Sequence, residues 1–184
     1  MSDARERVRQ HLLEHSVRRG DFTLKSGRPS SWFIDSKQTI CAPETMVDVA
    51  ALLLERIPLN ATAIGGLTMG ADGAAFITAG VAATRGRLLR AFSVRKEVKD
   101  HGAGGRIAGA LLVGDRVVIT EDTVTRGTSL LEAAHVVRDF GAEVVLLLAV
   151  VDRGGTVEAM ASQEGLVFDA LYSALDLGFA YEGA

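Results

Sequence analysis

The chain has a single cysteine, Cys41, among its 184 residues. A disulfide framework needs two cysteines and a multi-cysteine metal site needs more, so both are excluded. A lone thiol fits a reducing compartment, the cytoplasm, and Cys41 reads as an inert side chain. An excess of positive charge is also lacking. The formal net charge is −3, which argues against a general nucleic-acid binder, since such surfaces are basic. No apolar run is long enough to span a bilayer; Val144–Val151 is only of strand length. The stretch MSDARERVRQHLLEH is charged and has no apolar centre, so it does not read as a signal peptide. Internal repeats, low-complexity linkers and a Walker A pattern are absent. Gly102-Ala103-Gly104 is not a dinucleotide fingerprint, because Ile107 stands where a third glycine belongs and a charged loop precedes it.

What the chain does have is 48% hydrophobic residues, enough to bury one sizeable α/β core, and residues 1–184 are read as a single domain. Val8, Leu12, Leu13 and Val17 recur near a helical period over Ala4–Arg18, with Gly20 as the expected stop. Phe22–Arg28 and Ser31–Asp35 read as a hairpin across a Gly/Pro turn. Pro43–Arg56 reads as a helix with Pro43 in its first turn. Strands are expected at Ala63–Gly66, Leu88–Val94, Arg106–Leu112, Arg116–Glu121, Val144–Asp152 and Val167–Tyr172. Helices are expected at Gly70–Ala82, Thr128–Phe140 and Thr156–Gln163. Such alternation predicts a mostly parallel sheet covered on both faces, with ligands bound beyond the strand C-terminal ends. Lys96, Glu121-Asp122 and Asp152-Arg153 all fall at predicted strand ends.

The segment RVVITEDTVTRG, Arg116–Gly127, carries the most chemistry. An apolar β-branched run leads into two adjacent acids, Glu121 and Asp122. A loop of Thr123, Val124, Thr125, Arg126, Gly127, Thr128 and Ser129 then enters a helix. Free backbone N–H groups at a helix start make an anion site. Adjacent acids bind phosphate poorly but accept hydroxyl protons well, and without a partner they are costly at a strand end. The expected ligand carries a phosphate at one end and a diol at the other, as a ribose 5-phosphate does.

This segment resembles the phosphoribosyl-diphosphate (PRPP) motif of type I phosphoribosyltransferases. Two further strings, RKEVKDHGAGG (Arg95–Gly105) and FTLKSGRPSSWFID (Phe22–Asp35), resemble the orotate phosphoribosyltransferase family, as does GGLTMGAD (Gly65–Asp72). The resemblance implies a type I phosphoribosyltransferase fold, a mostly parallel sheet flanked by helices, with a small N-terminal hood of helix and hairpin over 1–40 and the α/β core over 41–184. It implies that Glu121 and Asp122 hold the ribose hydroxyls and that Thr123–Ser129 cradles the 5-phosphate, Arg126 standing where many members have a small residue. Lys25 is implied at the diphosphate or the active-site mouth. Arg95, Lys96, Lys99 and His101 are implied as the diphosphate clamp, with Lys99 foremost. Phe33, Thr125 and Arg153 are implied at the orotate, Arg153 pairing with its carboxylate. Mg²⁺ is implied, held mainly by diphosphate. A homodimer is implied, because in the family part of the charged loop reaches the neighbouring site. One departure is that Met69–Asp72 contains no cation where some members carry a lysine; backbone N–H groups at the following helix start are expected to serve instead.

Each residue has a bland alternative. Lys25 and Arg153 in isolation read as surface charges, and Trp32 and Phe33 as core residues, with alternation sending one inward and the other outward. His11, His15 and His135 read as structural or exposed. Asp35, Asp72 and Asp100 read as caps or loop ion pairs. Among functions, a sibling enzyme using a purine or uracil and a PRPP-binding regulator without catalysis stand behind orotate transfer. Arg153 favours an acidic pyrimidine over a neutral base, and the retained loop cations argue against a regulator.

Overall fold

A computed structural model describes residues 3–23, 27, 29–97 and 105–183. The chain runs α1 (Asp3–His11), a π-helical turn (Leu12–Ser16), β1 (Val17–Thr23), β2 (Pro29–Ile34), α2 (Lys37–Ile40), α3 (Met46–Arg56), β3 (Ala63–Leu67) and α4 (Asp72–Thr84). It continues through β4 (Arg90–Val94), β5 (Ile107–Gly109), β6 (Arg116–Val124), α5 (Thr128–Asp139), β7 (Glu143–Asp152), α6 (Val157–Gln163), β8 (Phe168–Ser173) and a 3₁₀ turn at Leu175–Leu177.

Six strands form one sheet in the order β5-β4-β3-β6-β7-β8, while β1 and β2 form a separate antiparallel ribbon. Within the large sheet the pairs are parallel apart from β4 with β5. Both faces are covered, as a parallel sheet requires. Side chains of successive strand residues alternate between the faces. Ile64, Val118 and Leu148 therefore join Val49, Leu53 and Trp32 in one cluster. Val117, Ile119 and Leu147 join Leu130, Ala133 and Val137 of α5 in the other. Each such fully buried aliphatic side chain contributes roughly 1.5–3 kcal/mol relative to exposure.

The N-terminal helix is shorter than its periodicity predicts. Val17 is already extended and pairs with Ile34, so the helical spacing gives way to strand pairing after Ser16. Gly20 does not stop a helix. It lies inside β1 at φ 153°, where the register slips between Arg19 and Phe22, and its missing side chain suits that bulge. Pro43 precedes α3 rather than opening it, and the short α2 was not expected at all. β5 is a three-residue edge strand. β6 outruns its expected end at Glu121. Thr123 and Val124 still pair with Val151 and Asp152 of β7, and Val124 is buried in the core, so the ladder rather than the loop claims them.

Candidate active site

Strand order sets the location. From β3 the chain moves outward to β4 and then returns through β6 on the other flank of β3. A crevice opens at such a reversal, beyond the strand C-terminal ends. Here β3 and β6 stay paired only as far as Gly65 and Ile119. Past that point the β3–β6 ladder ends, and Glu121 and Asp122 follow on β6.

Both acids are buried, at 6% and 7% exposure. Burial pushes the Glu121 carboxyl up to about 8, helped by the Asp122 carboxylate, which only a protonated Glu121 can hydrogen-bond. Asp122 is held from both sides. Its Oδ1 accepts the Thr123 N–H at 2.8 Å, and its Oδ2 is ion-paired to the Lys37 ammonium. Burial alone would lower the Lys37 pKa, but Asp122, Asp35 and Glu121 outweigh it and the net shift is upward. The opposite wall is the loop after β3, where the Thr68–Met69 peptide is cis. Asp72 fastens that loop by accepting the hydroxyls of Thr68 and Ser93, each at 2.7 Å. The loop comes so close to the acids that a methyl group on Gly70 would overlap the Glu121 carboxylate. Gly70→Ala is therefore expected to lose roughly 1–3 kcal/mol of stability, the usual cost of overpacking, in urea unfolding; an unchanged midpoint would show that the acids have room to retreat.

One turn beyond the acids, the backbone bends through Thr125–Gly127, with Gly127 at φ 73°, and α5 begins at Thr128. No side chain caps the first turn of α5. Its N–H groups thus remain available to an anion, reinforced by the helix dipole. Gly154 packs against the Thr125 carbonyl so tightly that a side chain there would collide, and the Thr156 hydroxyl donates to the same carbonyl at 3.1 Å. The loop after β7 thus braces the presumptive phosphate loop.

That β7 loop also carries Arg153, which is 6% exposed. Its guanidinium donates to the Trp32 carbonyl at 2.6 Å and the Ser30 hydroxyl at 2.9 Å, and lies 4.8 Å from the Trp32 ring centroid. Burial pushes its pKa down, with Glu182 opposing. Trp32 stacks on Phe179 at 4.4 Å. The backbone N–H groups of Glu182 and Gly183 bond the Arg153 and Gly154 carbonyls. The C-terminal segment therefore ties β2 to the end of β7. Phe33, next to the buried Trp32, faces outward at 41% exposure, beside Phe22.

A scan against protein-family models finds no match. Similar curated proteins are orotate phosphoribosyltransferases. That of Streptomyces coelicolor is 39% identical over 180 residues, spanning 97% of this chain and 99% of its own. That of Bradyrhizobium diazoefficiens is 40% identical over 178 residues, spanning 94% and 95%. The chain belongs to the orotate phosphoribosyltransferase family. The fold agrees. The crystal structure of the Mycobacterium tuberculosis enzyme in complex with PRPP superposes with a TM-score of 0.80 at 32% identity, covering 96% of this chain and 99% of that one.

Of the residues the resemblance implies, Glu121 and Asp122 lie on β6, Thr125 and Gly127 in the turn that follows, and Thr128 and Ser129 at the start of α5. Thr123 is on the strand, its hydroxyl bonded to Ser36 at 2.6 Å, and the Val124 side chain points into the core. Arg126 is exposed. Arg95 lies at the stem of the charged loop, its backbone N–H on the Arg106 carbonyl at 2.7 Å and its guanidinium reaching the Ile107 carbonyl at 3.4 Å. Lys96 is exposed beside it. Lys25, Lys99, Asp100 and His101 lie outside the described residues. The sequence reading missed Ser36 and Lys37 altogether. The available signal was a cation just past a strand of the hairpin, but nothing in the primary structure says that this strand end meets the end of β6.

Proposed function

We infer that the chain transfers the 5-phosphoribosyl group of PRPP to orotate, giving orotidine 5-monophosphate and diphosphate in pyrimidine biosynthesis. The observation that carries this is the buried acid pair at the switch point, one turn before the uncapped start of α5. A diol and a phosphate separated as in ribose 5-phosphate fit that spacing.

Glu121 and Asp122 receive the ribose hydroxyls, and the Thr125–Ser129 backbone with the α5 dipole receives the 5-phosphate. Phe33 offers an aromatic face to the orotate ring, and Arg153, which also holds β2 in place, supplies the positive charge for its carboxylate. The orotate ring nitrogen attacks C1 as the C1–O bond to diphosphate breaks, through an oxocarbenium-like transition state, and the nitrogen loses its proton. Lys99, assisted by Arg95, Lys96 and His101, stabilises the charge on the leaving diphosphate, a contribution of ~3 kcal/mol for one well-placed donor. Water that would hydrolyse PRPP must be kept from C1, a task assigned from the sequence to the charged loop Arg95–Gly105. In the proposed homodimer that loop serves the partner's site.

Mg²⁺ fits this chemistry through the ligand. The hard ion would be held mainly by diphosphate and hydroxyl oxygens with waters, and would neutralise diphosphate charge. No helix among the described residues is long and apolar enough to cross a membrane, and a cytoplasmic location is proposed from the lone cysteine and the pathway.

The test follows orotate absorbance with purified protein, PRPP and Mg²⁺, with uracil and hypoxanthine in parallel. PRPP-dependent loss of orotate alone is the expected result. Turnover of another base instead would discard the role of Arg153, and PRPP binding without any turnover would favour a regulator.

A further inference from the structure

The residues joining the β1–β2 ribbon to the sheet make two consecutive contacts with the ribose end of the site. The Ser36 hydroxyl is 2.6 Å from the Thr123 hydroxyl, and the Lys37 ammonium is ion-paired to Asp122 Oδ2. Thr123 and Asp122 follow Glu121 on β6, and Ser36 and Lys37 follow Ile34, the last residue of β2. Phe33, exposed on β2, is thus linked to Asp122 through four residues of chain and one ion pair. We propose that Lys37 is a positioning residue for the PRPP ribose: it fixes the Asp122 carboxylate toward the diol and couples that acid to the strand that faces the base.

Three observations support this. First, Asp122 has its Oδ1 committed to the Thr123 N–H, so the Lys37 contact decides the orientation of the second oxygen. A carboxylate fixed at both oxygens keeps free lone pairs for hydroxyl donors while losing its rotational freedom. Second, the charges fit. An anionic ligand approaching the Asp122 carboxylate meets repulsion, and the Lys37 ammonium, set between Asp122 and Asp35 (3.8 Å from the latter), offsets it. Third, the Lys37 side chain is 43% exposed against 10% for Asp122. It therefore reaches solvent beside the acid and is not in a core that would explain it as packing.

This rests on the reading of the acid pair as the diol site, and the experiment separates the two. Lys37→Met, Lys37→Arg and Asp122→Asn are compared with the parent for KM of PRPP, KM of orotate, kcat and melting temperature. Lys37→Met is expected to raise the PRPP KM about tenfold, the loss of one hydrogen bond to a charged group, while orotate KM stays within about threefold. Lys37→Arg, which can still reach a carboxylate with a cation, is expected to recover most of it. An unchanged PRPP KM in Lys37→Met, alongside a raised one in Asp122→Asn, overturns the role of Lys37 alone. Unchanged PRPP KM in both overturns the diol assignment and the proposal with it. An equal rise in both KM values with a lowered melting temperature makes Lys37 merely structural and also overturns it. Should Lys37→Met not fold, Lys37→Gln carries the same comparison.

Discussion

Glu121→Gln is expected to make the protein more stable, and increasingly so from pH 5 to pH 8. The Glu121 carboxyl sits at about 8 in the folded chain against an ordinary 4.5, chiefly because burial disfavours its charge. Between those values the folded state holds a proton that the unfolded state has released. Stability of the parent therefore falls as pH rises through this window and levels off above about 8. Glutamine cannot ionise and escapes that loss. The gap between variant and parent should widen by at most about 1.4 kcal/mol per pH unit. Urea unfolding of both proteins at pH 5, 6, 7 and 8 reads this directly. Parallel curves, with no pH-dependent gap, would mean that Glu121 is ionised in the fold. The same reasoning makes the two acids inequivalent. Below pH 8 glutamine reproduces one donor and one acceptor of the protonated Glu121, so PRPP affinity should change only a few-fold, whereas Asp122→Asn removes the charge that Lys37 faces and should weaken PRPP binding far more. An acid retained at a stability cost is what a binding site demands and a core does not.

Lys99→Ala is expected to lower kcat by about 10²–10³-fold, the range for removal of one preorganised donor to a developing anion. The melting temperature should stay near that of the parent, because Lys99 falls in the charged segment between β4 and β5 and both buried clusters are built from other residues. The stem of that loop holds without it, through the backbone bond from Arg95 to Arg106 and the Arg106 pairing with the Arg95 carbonyl and Glu132. Near-normal turnover would remove Lys99 from the mechanism. The variant also tests the dimer: mixed with a Glu121/Asp122 double variant, it should regain activity through hybrids whose one site has a sound loop and a sound acid pair. No recovery with verified subunit exchange would argue for self-contained sites.

Elements whose signal is local were legible. The β-branched run Val117–Ile119, the periodic helix after Gly127 and the apolar run of β7 each sit within about one to three residues of where pattern placed them, because burial on a parallel sheet demands those runs. That one of Trp32 and Phe33 is buried and the other exposed follows from strand alternation; which of them turns inward is decided by the packing. The failures lie where a long-range partner overrides the local pattern. The first helix yields to β2 pairing after Ser16, and β6 runs on through Val124 because β7 offers it a ladder.

The site divides in the same way. Which acids lie beside which anion-binding turn is a matter of a few consecutive residues, and the order Glu121, Asp122, Thr125–Ser129 declares it without any structure. That the Glu121 carboxyl is pushed up depends on its burial, and that Lys37 faces Asp122 depends on residues 85 positions apart meeting. The same holds for Arg153 under Trp32, 121 positions away. Motif chemistry is written along the chain because it needs neighbours in sequence. Charge state and orientation are decided in tertiary structure, because they depend on what solvent is excluded and on which distant charge fills its place.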